Sequence, residues 1–271
     1  LLADFHLHSN HSDGRLAPAV LVDLVADAGI SLMSLTDHDT TAGHEAAQRQ
    51  ASARGVRFVP GIEMTTYGHG RVIHTLGFGC DGASEELRAA NAVAAQVWDD
   101  NQRRWVEALA HETEDVDWAR DFRDHPVRLP ALIERLCLAG VDGGDPKKVH
   151  ARFKAFFAAL PPTAYAALPD PAGAAAIIRR AGGIAVLAHP WHLHESGLAA
   201  SLLAHCDGLE ATYLQYSLGQ QDVLRELCAR QGKLCSGGSD YHGYFESEYR
   251  SPQFEPSPEL VARLGIDASR K

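Results

Sequence analysis

Ala3-Asp4-Phe5-His6-Leu7-His8 opens the chain with a short apolar run that ends in two histidines, and Leu32-Met33-Ser34-Leu35-Thr36-Asp37-His38-Asp39 repeats the device with apolar text followed by ionisable residues. In an extended strand, residues two apart leave the same face, so His6 and His8 point together. Working outward, comparable runs lie at 57–63, 72–78, 184–189, 208–211 and 233–240, which makes seven expected strands with those at 3–8 and 31–38. Helix-like segments at 18–28 and 41–54 separate the first three, with Gly29 and Gly55 as C-terminal stops. Others fit 171–181 and 218–230. Alternation of this kind predicts an α/β fold of parallel strands joined by right-handed crossovers, closing into a barrel. Between residues 80 and 168 the rhythm breaks. A long polar helix pattern at 83–111 is followed by Pro-punctuated, Ala- and Phe-rich helical text. This stretch, 81–168, is expected to be a helical insertion between strands 4 and 5 that caps the substrate, with 1–80 and 169–271 forming the barrel.

Composition narrows the function classes. A length of 271 residues suits one barrel carrying an insertion. Lys plus Arg number 25 against 35 Asp plus Glu, a formal charge of −10, which disfavours capture of a long nucleic acid by the surface as a whole but leaves room for a small polyanion held locally. No apolar stretch is long enough to span a bilayer, and the N-terminus lacks a basic region followed by an apolar one, so no membrane role is expected. Five cysteines without a C-x-x-C pair indicate neither a disulfide framework nor a thiolate zinc site, and fit a reducing, cytoplasmic location. Histidine is in excess, at 15 residues without a His-rich tract, and that raises the question of metal.

A lone His-x-His pair is a weak signal. Here it is joined by Asp13, by His38 after strand 2, by Glu63 at the end of strand 3, by His74 in strand 4, by His189 after strand 5, and by Asp240 and His242 after strand 7. The C-terminal ends of barrel strands form one face, so these nine nitrogen and oxygen donors are expected to converge there. Gathering so many ionisable groups without cations costs hydration and sets carboxylates against one another, and divalent metals relieve both. Imidazole with carboxylate suits manganese, iron or zinc better than magnesium.

His6-x-His8, Ser12-Asp13-Gly14, Thr36-Asp37-His38-Asp39, Gly61-Ile62-Glu63, Ala188-His189-Pro190 and Gly238-Ser239-Asp240-x-His242 resemble, in order, the motifs of the polymerase and histidinol phosphatase (PHP) family, and most closely its nucleotide phosphoesterase branch. The resemblance covers 1–80 and about 170–243. It implies a distorted (β/α)7 barrel and three divalent metal ions. Carried over position by position, His6, His8, Glu63 and Asp240 would hold the first. Glu63, His74 and His189 would hold the second, and Asp13, His38 and His242 the third. Asp37 and Asp39 would orient these ligands. Catalysis would rest on Glu63, Asp240 and His242, with a metal-bridging hydroxide attacking a phosphate ester, and His192, outside the family motifs, is a further catalytic candidate that could protonate the leaving group. The enzyme class implied is a metal-dependent phosphatase or phosphodiesterase.

Substrate contacts are expected from Arg128, Trp191 and Arg15, with Arg71 a weaker candidate, while His44, His69 and His194 read as solvated. The branch has Arg-x-His where this chain has Arg128-Leu129-Pro130, and Gly-Arg where it has Trp191-His192, so a second substrate phosphate is in question. A small phosphorylated substrate is expected, an AMP-like nucleotide, a nucleoside 3′,5′-bisphosphate or the end of a short single-stranded RNA, with no obligate protein partner. Two rivals stand beside this reading. One is a metal-dependent amidohydrolase, for which a carboxylated lysine on a middle strand would be needed, and the other is a non-catalytic PHP-like binding module.

Overall fold

The structure is a computed structural model that describes residues 1–110, 129–244 and 248–266. Seven strands run in chain order around one sheet: β1 (Ala3–Asp4), β2 (Leu32–Leu35), β3 (Arg57–Gly68), β4 (Arg71–Phe78), β5 (Ile184–Leu187), β6 (Gly208–Tyr213) and β7 (Leu234–Gly238). Helices α1 (Pro18–Asp27) and α2 (His44–Arg54) connect the first three strands. Gly55 ends α2 in the left-handed conformation, at φ 68°, which glycine adopts without steric cost. Beyond β4 come α3 (Glu85–Ala110), α4 (Leu129–Leu138), α5 (Pro146–Ala159) and α6 (Pro171–Arg180). After β5 the helices are α7 (Trp191–Glu195), α8 (Ala199–Leu203), α9 (Leu218–Gln231) and α10 (Pro258–Arg263). The fold is a distorted (β/α)7 barrel.

The distortion lies in β4. Parallel strands throughout were expected, yet β4 pairs antiparallel with β3 and with β5. The cause is a two-residue hairpin turn, His69-Gly70, with both residues at positive φ, 53° and 75°. Such a turn matches the twist of an antiparallel pair and sends β4 straight back along β3. β3 correspondingly runs past Glu63 to Gly68, beyond its pairing with β2. Because β4 points the other way, His74, in its first half, still stands at the rim where the parallel strands end.

Closure between first and last strand is made by backbone bonds rather than a long ladder. Phe5 N–H donates to Gly237 O (3.1 Å), Asp240 N–H to His6 O (2.9 Å) and His8 N–H to Tyr241 O (3.1 Å). Gly238 makes the approach possible, since a Cβ there would lie 2.2 Å from that of His6. Asp4, fully buried, clasps the seam. Its Oδ1 accepts from His6 N–H (3.2 Å) and Ser239 N–H (3.0 Å), and its Oδ2 from the Tyr249 hydroxyl (2.7 Å).

The apolar interior divides accordingly. Phe5, Leu76, Phe78 and Val186 fill the barrel, and Ile62, Ile178, Leu203 and Leu224 lie between sheet and helices. A separate cluster of Trp105, Leu132, Phe153 and Phe157 unites α3, α4 and α5. Among the described residues no helix is long and apolar enough to cross a membrane.

Burial raises the Asp4 carboxyl to about 6, against the hydrogen bonds from Ser239 and Tyr249 that lower it. A carboxyl raised on folding subtracts stability as pH climbs from about 4 to 6, and the subtraction then stays constant. Asp4→Asn keeps an acceptor for the two amides without the buried charge, so at pH 8 its thermal stability is expected to be within about 1 kcal/mol of wild type or above it, with any advantage gone below pH 4. Asp4→Ala orphans both amides and should lose roughly 2–4 kcal/mol in denaturant titration. Equal losses in the two variants would contradict this account.

Candidate metal centre

Nine side chains from distant parts of the chain meet at the rim. His6 and His8 follow β1, and Glu63 sits in β3 where its bridge to His38 ends the parallel pairing. Glu63 is at the centre, and its two oxygens face different ways. Oε2 lies 2.9 Å from His6 Nε2, 3.1 Å from His8 Nε2 and 3.4 Å from His38 Nε2. Oε1 lies 3.1 Å from both His74 Nδ1 and His189 Nε2. Asp240 Oδ1 approaches His6 Nε2 (3.2 Å) and His8 Nε2 (3.1 Å). Asp13 Oδ2 approaches His242 Nε2 (3.2 Å) and His38 Nε2 (3.7 Å), while its Oδ1 is 3.4 Å from His8 Nδ1.

Three groups here have donor atoms all within 4.8 Å of one another: His6, His8, Glu63 and Asp240; His8, Asp13, His38 and His242; and His38, Glu63 and His74. His189 Nε2 joins the last, 3.1 Å from Glu63 and 3.3 Å from His74 Nδ1. Two observations test whether cations fit. Among the described residues neither ring nitrogen of His8, nor Nδ1 of His38, makes an aligned hydrogen bond although all are buried, even where a carboxylate oxygen lies 3.1 Å from His8 Nε2, and buried polar atoms are seldom left so. And oxygens and ring nitrogens crowd about common points, which suits a shared cation better than a shared proton. The set of imidazoles and carboxylates fits divalent metal.

The electrostatics agree. Burial disfavours charge on His6, but Glu210, Glu63 and Asp240 outweigh it and hold its pKa well above the ordinary value. Burial likewise opposes charge on His8, and Asp13, Asp240 and Glu63 raise it to about 10. His189 and His242 are also raised, by Glu63 and by Asp13 respectively, against the effect of burial. His38 goes the other way, to about 3, because burial prevails over Glu63 and Asp13. Glu63 and Asp240 are held well below the carboxylate range despite burial, chiefly by His6.

Neighbours hold the donors in place. Asp37 accepts from Ser9 N–H (2.7 Å) and from the Ser9 and Ser12 hydroxyls (2.6 Å each). Asp39 accepts from Thr65 N–H (2.8 Å) and its hydroxyl (2.6 Å), and the Tyr213 hydroxyl donates to Asp240 Oδ2 (2.7 Å). Glu210, in β6, lies 2.9 Å from His6 Nδ1 and accepts from His189 N–H at 2.8 Å. Sequence reading passed over Glu210, although a glutamate inside the apolar run 208–211 was a signal.

A cavity of about 1200 Å³ opens above the rim, walled by Trp98, Leu129, Phe153, Phe157 and Tyr165. His192 lines it, as do Arg71 and Lys154. Burial, then His189 and Arg71, lower the His192 pKa. Trp191 and Arg15 do not line the cavity. The Trp191 ring lies against His194 and Tyr216, and Arg15 N–H donates to His242 O (2.8 Å), which supports the last loop. Arg128 lies outside the described residues. His44, read as solvated, is half-buried and bonded through Nε2 to Gly61 O (2.7 Å).

Comparison with known proteins gives a consistent picture. The PHP domain family model matches residues 4–116. A 3′,5′-nucleoside bisphosphate phosphatase of Chromobacterium violaceum is 30% identical over 88% of this chain and 86% of its own. A phosphoribosyl 1,2-cyclic phosphate 1,2-diphosphodiesterase of Eggerthella lenta is 29% identical over 90% and 95%, and a 5′-3′ exoribonuclease of Haemophilus influenzae 28% over 88% and 89%. Among solved structures, one described as a metal-dependent phosphoesterase of Bifidobacterium adolescentis superposes with a TM-score of 0.80 over 98% of this chain and 97% of that one, at 24% identity. Another, described as an amidohydrolase of Chromobacterium violaceum with bound sulfate, gives 0.75 over 97% of each chain at 25% identity.

Raised imidazoles mean that the metal-free rim carries protons near neutrality, and an entering cation must displace them. Titration calorimetry of manganese into metal-free protein, repeated in buffers of different ionisation enthalpy, is expected to show release of roughly two protons and affinity that tightens from pH 6 to 8. Binding without proton release, at constant affinity, would contradict the arrangement.

Proposed function

This chain belongs to the PHP domain family, and on that premise we propose that it is a metal-dependent phosphoesterase acting on small phosphorylated nucleotides. The observation that carries this is the division of Glu63, whose two oxygens each face a separate set of imidazoles, the arrangement a carboxylate needs to hold two cations side by side. Three sites are proposed, for manganese, iron or zinc: His6, His8, Glu63 and Asp240; Glu63, His74 and His189; Asp13, His38 and His242. These residues would hold divalent ions, which when bound would supply a water of lowered pKa and positive charge for the phosphate oxygens.

The chain's own residues do the rest. Glu63 and Asp240, held ionised, keep the donors close, and the Tyr213 hydroxyl steers Asp240 from behind. His242 spends Nδ1 on the Asp240 carbonyl at 2.8 Å, leaving Nε2 for the side of Asp13. His192, on the cavity wall, is the described group placed to hand a proton to the leaving oxygen, a proton it would regain from water after turnover. The aromatic and aliphatic wall offers a flat apolar partner for a nucleobase, and a cavity of about 1200 Å³ holds more than a bare phosphate. The relatives' names, a nucleoside bisphosphate phosphatase, a cyclic phosphodiesterase and an exoribonuclease, support AMP-like nucleotides, 3′,5′-bisphosphates and short RNA ends as the substrate class. Thiols without a disulfide suit a reducing, cytoplasmic setting.

One structural neighbour is named for amide chemistry, but the carboxylated lysine considered for that class has no counterpart among the described residues. Lys147, Lys148 and Lys154 belong to α5, and Lys233 precedes β7, bonding the carbonyls of Ala204 and Cys206.

A phosphate-release screen with added manganese, spanning nucleoside monophosphates, 3′,5′-bisphosphates, cyclic phosphates, sugar phosphates and short oligonucleotides, is expected to find turnover among the nucleotides. Glu63→Gln should reduce kcat at least about 100-fold with an unchanged circular dichroism spectrum. Amide hydrolysis without phosphate release, or undiminished turnover in the variant, would reject the proposal.

A further inference from the structure

Glu210 is a carboxylate that packing does not require. It is fully buried in β6, and its described partners are both elements of the rim: His6 Nδ1, 2.9 Å from Oε1, and His189 N–H, 2.8 Å from Oε2. No lysine or arginine is paired with it among the described residues, and its one ring partner is the His6 imidazole. Burying a carboxylate in this way is unfavourable relative to an apolar residue of like volume. What it does must therefore need an acceptor with two oxygens.

Each oxygen has a distinct task. Oε1 stands beside His6 Nδ1, so a proton shared between them sits on that side of the ring and Nε2 is left facing Glu63 and Asp240, free to ligate once a cation displaces its proton. Oε2 secures the backbone of His189, whose φ of 27° is a conformation that non-glycine residues adopt only when their surroundings impose it. A bulge in the β6–β7 pairing between Glu210 and Thr212 accompanies the residue, a local re-aiming typical of strands at active sites.

We propose that Glu210 is a positioning residue that sets two of the candidate ligands at once, the tautomer of His6 and the strained backbone of His189, and so fixes the spacing of the two cation positions that share Glu63. The proposal rests on the metal assignment given above. Glutamine tests it, because Glu210→Gln preserves volume and one acceptor but places an amide NH2 against either the His6 ring N–H or the His189 backbone N–H. A residue needed only for packing would tolerate that change.

Manganese binding by Glu210→Gln, followed by calorimetry, is expected to weaken about 10- to 100-fold relative to wild type. Its kcat should fall with KM for the best substrate of the screen little changed, while Glu210→Asp, which keeps both oxygens, should recover part of both. Wild-type manganese affinity and kcat in the glutamine variant would overturn the proposal. Should that variant not fold, nitrogen NMR of 15N-histidine-labelled, zinc-loaded wild type decides: a proton on Nδ1 of His6 with zinc on Nε2 supports the role, and the opposite tautomer overturns it. A wild-type chain that takes up neither manganese nor zinc would overturn the metal assignment and this role with it, an outcome visible before any variant is made.

Discussion

Three carboxylates and six imidazoles stand at one rim of this barrel, with donor atoms of neighbouring residues within 4.8 Å of one another, and no arrangement of them is tolerable without positive charge in their midst. Protons can supply it, as the raised imidazoles indicate, but a proton satisfies one pair at a time, and the ring nitrogens of His8 make no aligned hydrogen bond among the described residues. Divalent cations satisfy several donors together. The remaining architecture can be understood as the means of keeping mutually repelling groups at this distance while folding is still favourable.

The backbone bears much of that burden. Asp39, His189 and Asp240 all have positive φ, at 51°, 27° and 55°. Each is tied through its own N–H to another member of the site: Asp39 to Glu63 O (3.0 Å), Asp240 to His6 O (2.9 Å) and His189 to Glu210 (2.8 Å). A left-handed residue just past a strand turns the chain sharply, which is how a short loop can deliver a side chain back over the barrel instead of out into solvent. The strain is localised where strand meets loop and is offset by a hydrogen bond to the adjoining strand.

Much of this was legible from residue order alone. Apolar runs ending in His, Asp or Glu marked the strands and their reactive ends, and the family motifs brought the donors into a ligand set. What was not legible has definite causes. The reversal at β4 turns on His69-Gly70, a dipeptide whose hairpin meaning depends on Met64-Thr65-Thr66-Tyr67 being strand, and that polar-rich tail did not read as one. Glu210 hid in plain view because an acid within a short apolar strand has meaning only once its partners, more than twenty residues away at the nearest, are known. The orientation of Trp191 was not legible for a related reason: proximity in sequence to His189 does not say which side of a one-turn helix its ring will take.

Because β4 runs backward, the chain leaves it at the end of the barrel remote from the donors, where Gly79 N–H meets Pro60 O. It must climb the whole flank to return, and α3, about 39 Å long at 1.5 Å per residue, makes the ascent, with Leu87 packed among the barrel's outer residues and Trp105 in the separate apolar cluster shared with α4 and α5. Every candidate ligand lies before or after this excursion and none within it. The donors and the helices that wall the cavity above them are thereby written on separate lengths of one polypeptide, so substitutions in α4 and α5 can reshape that wall while every candidate ligand keeps its place in the chain.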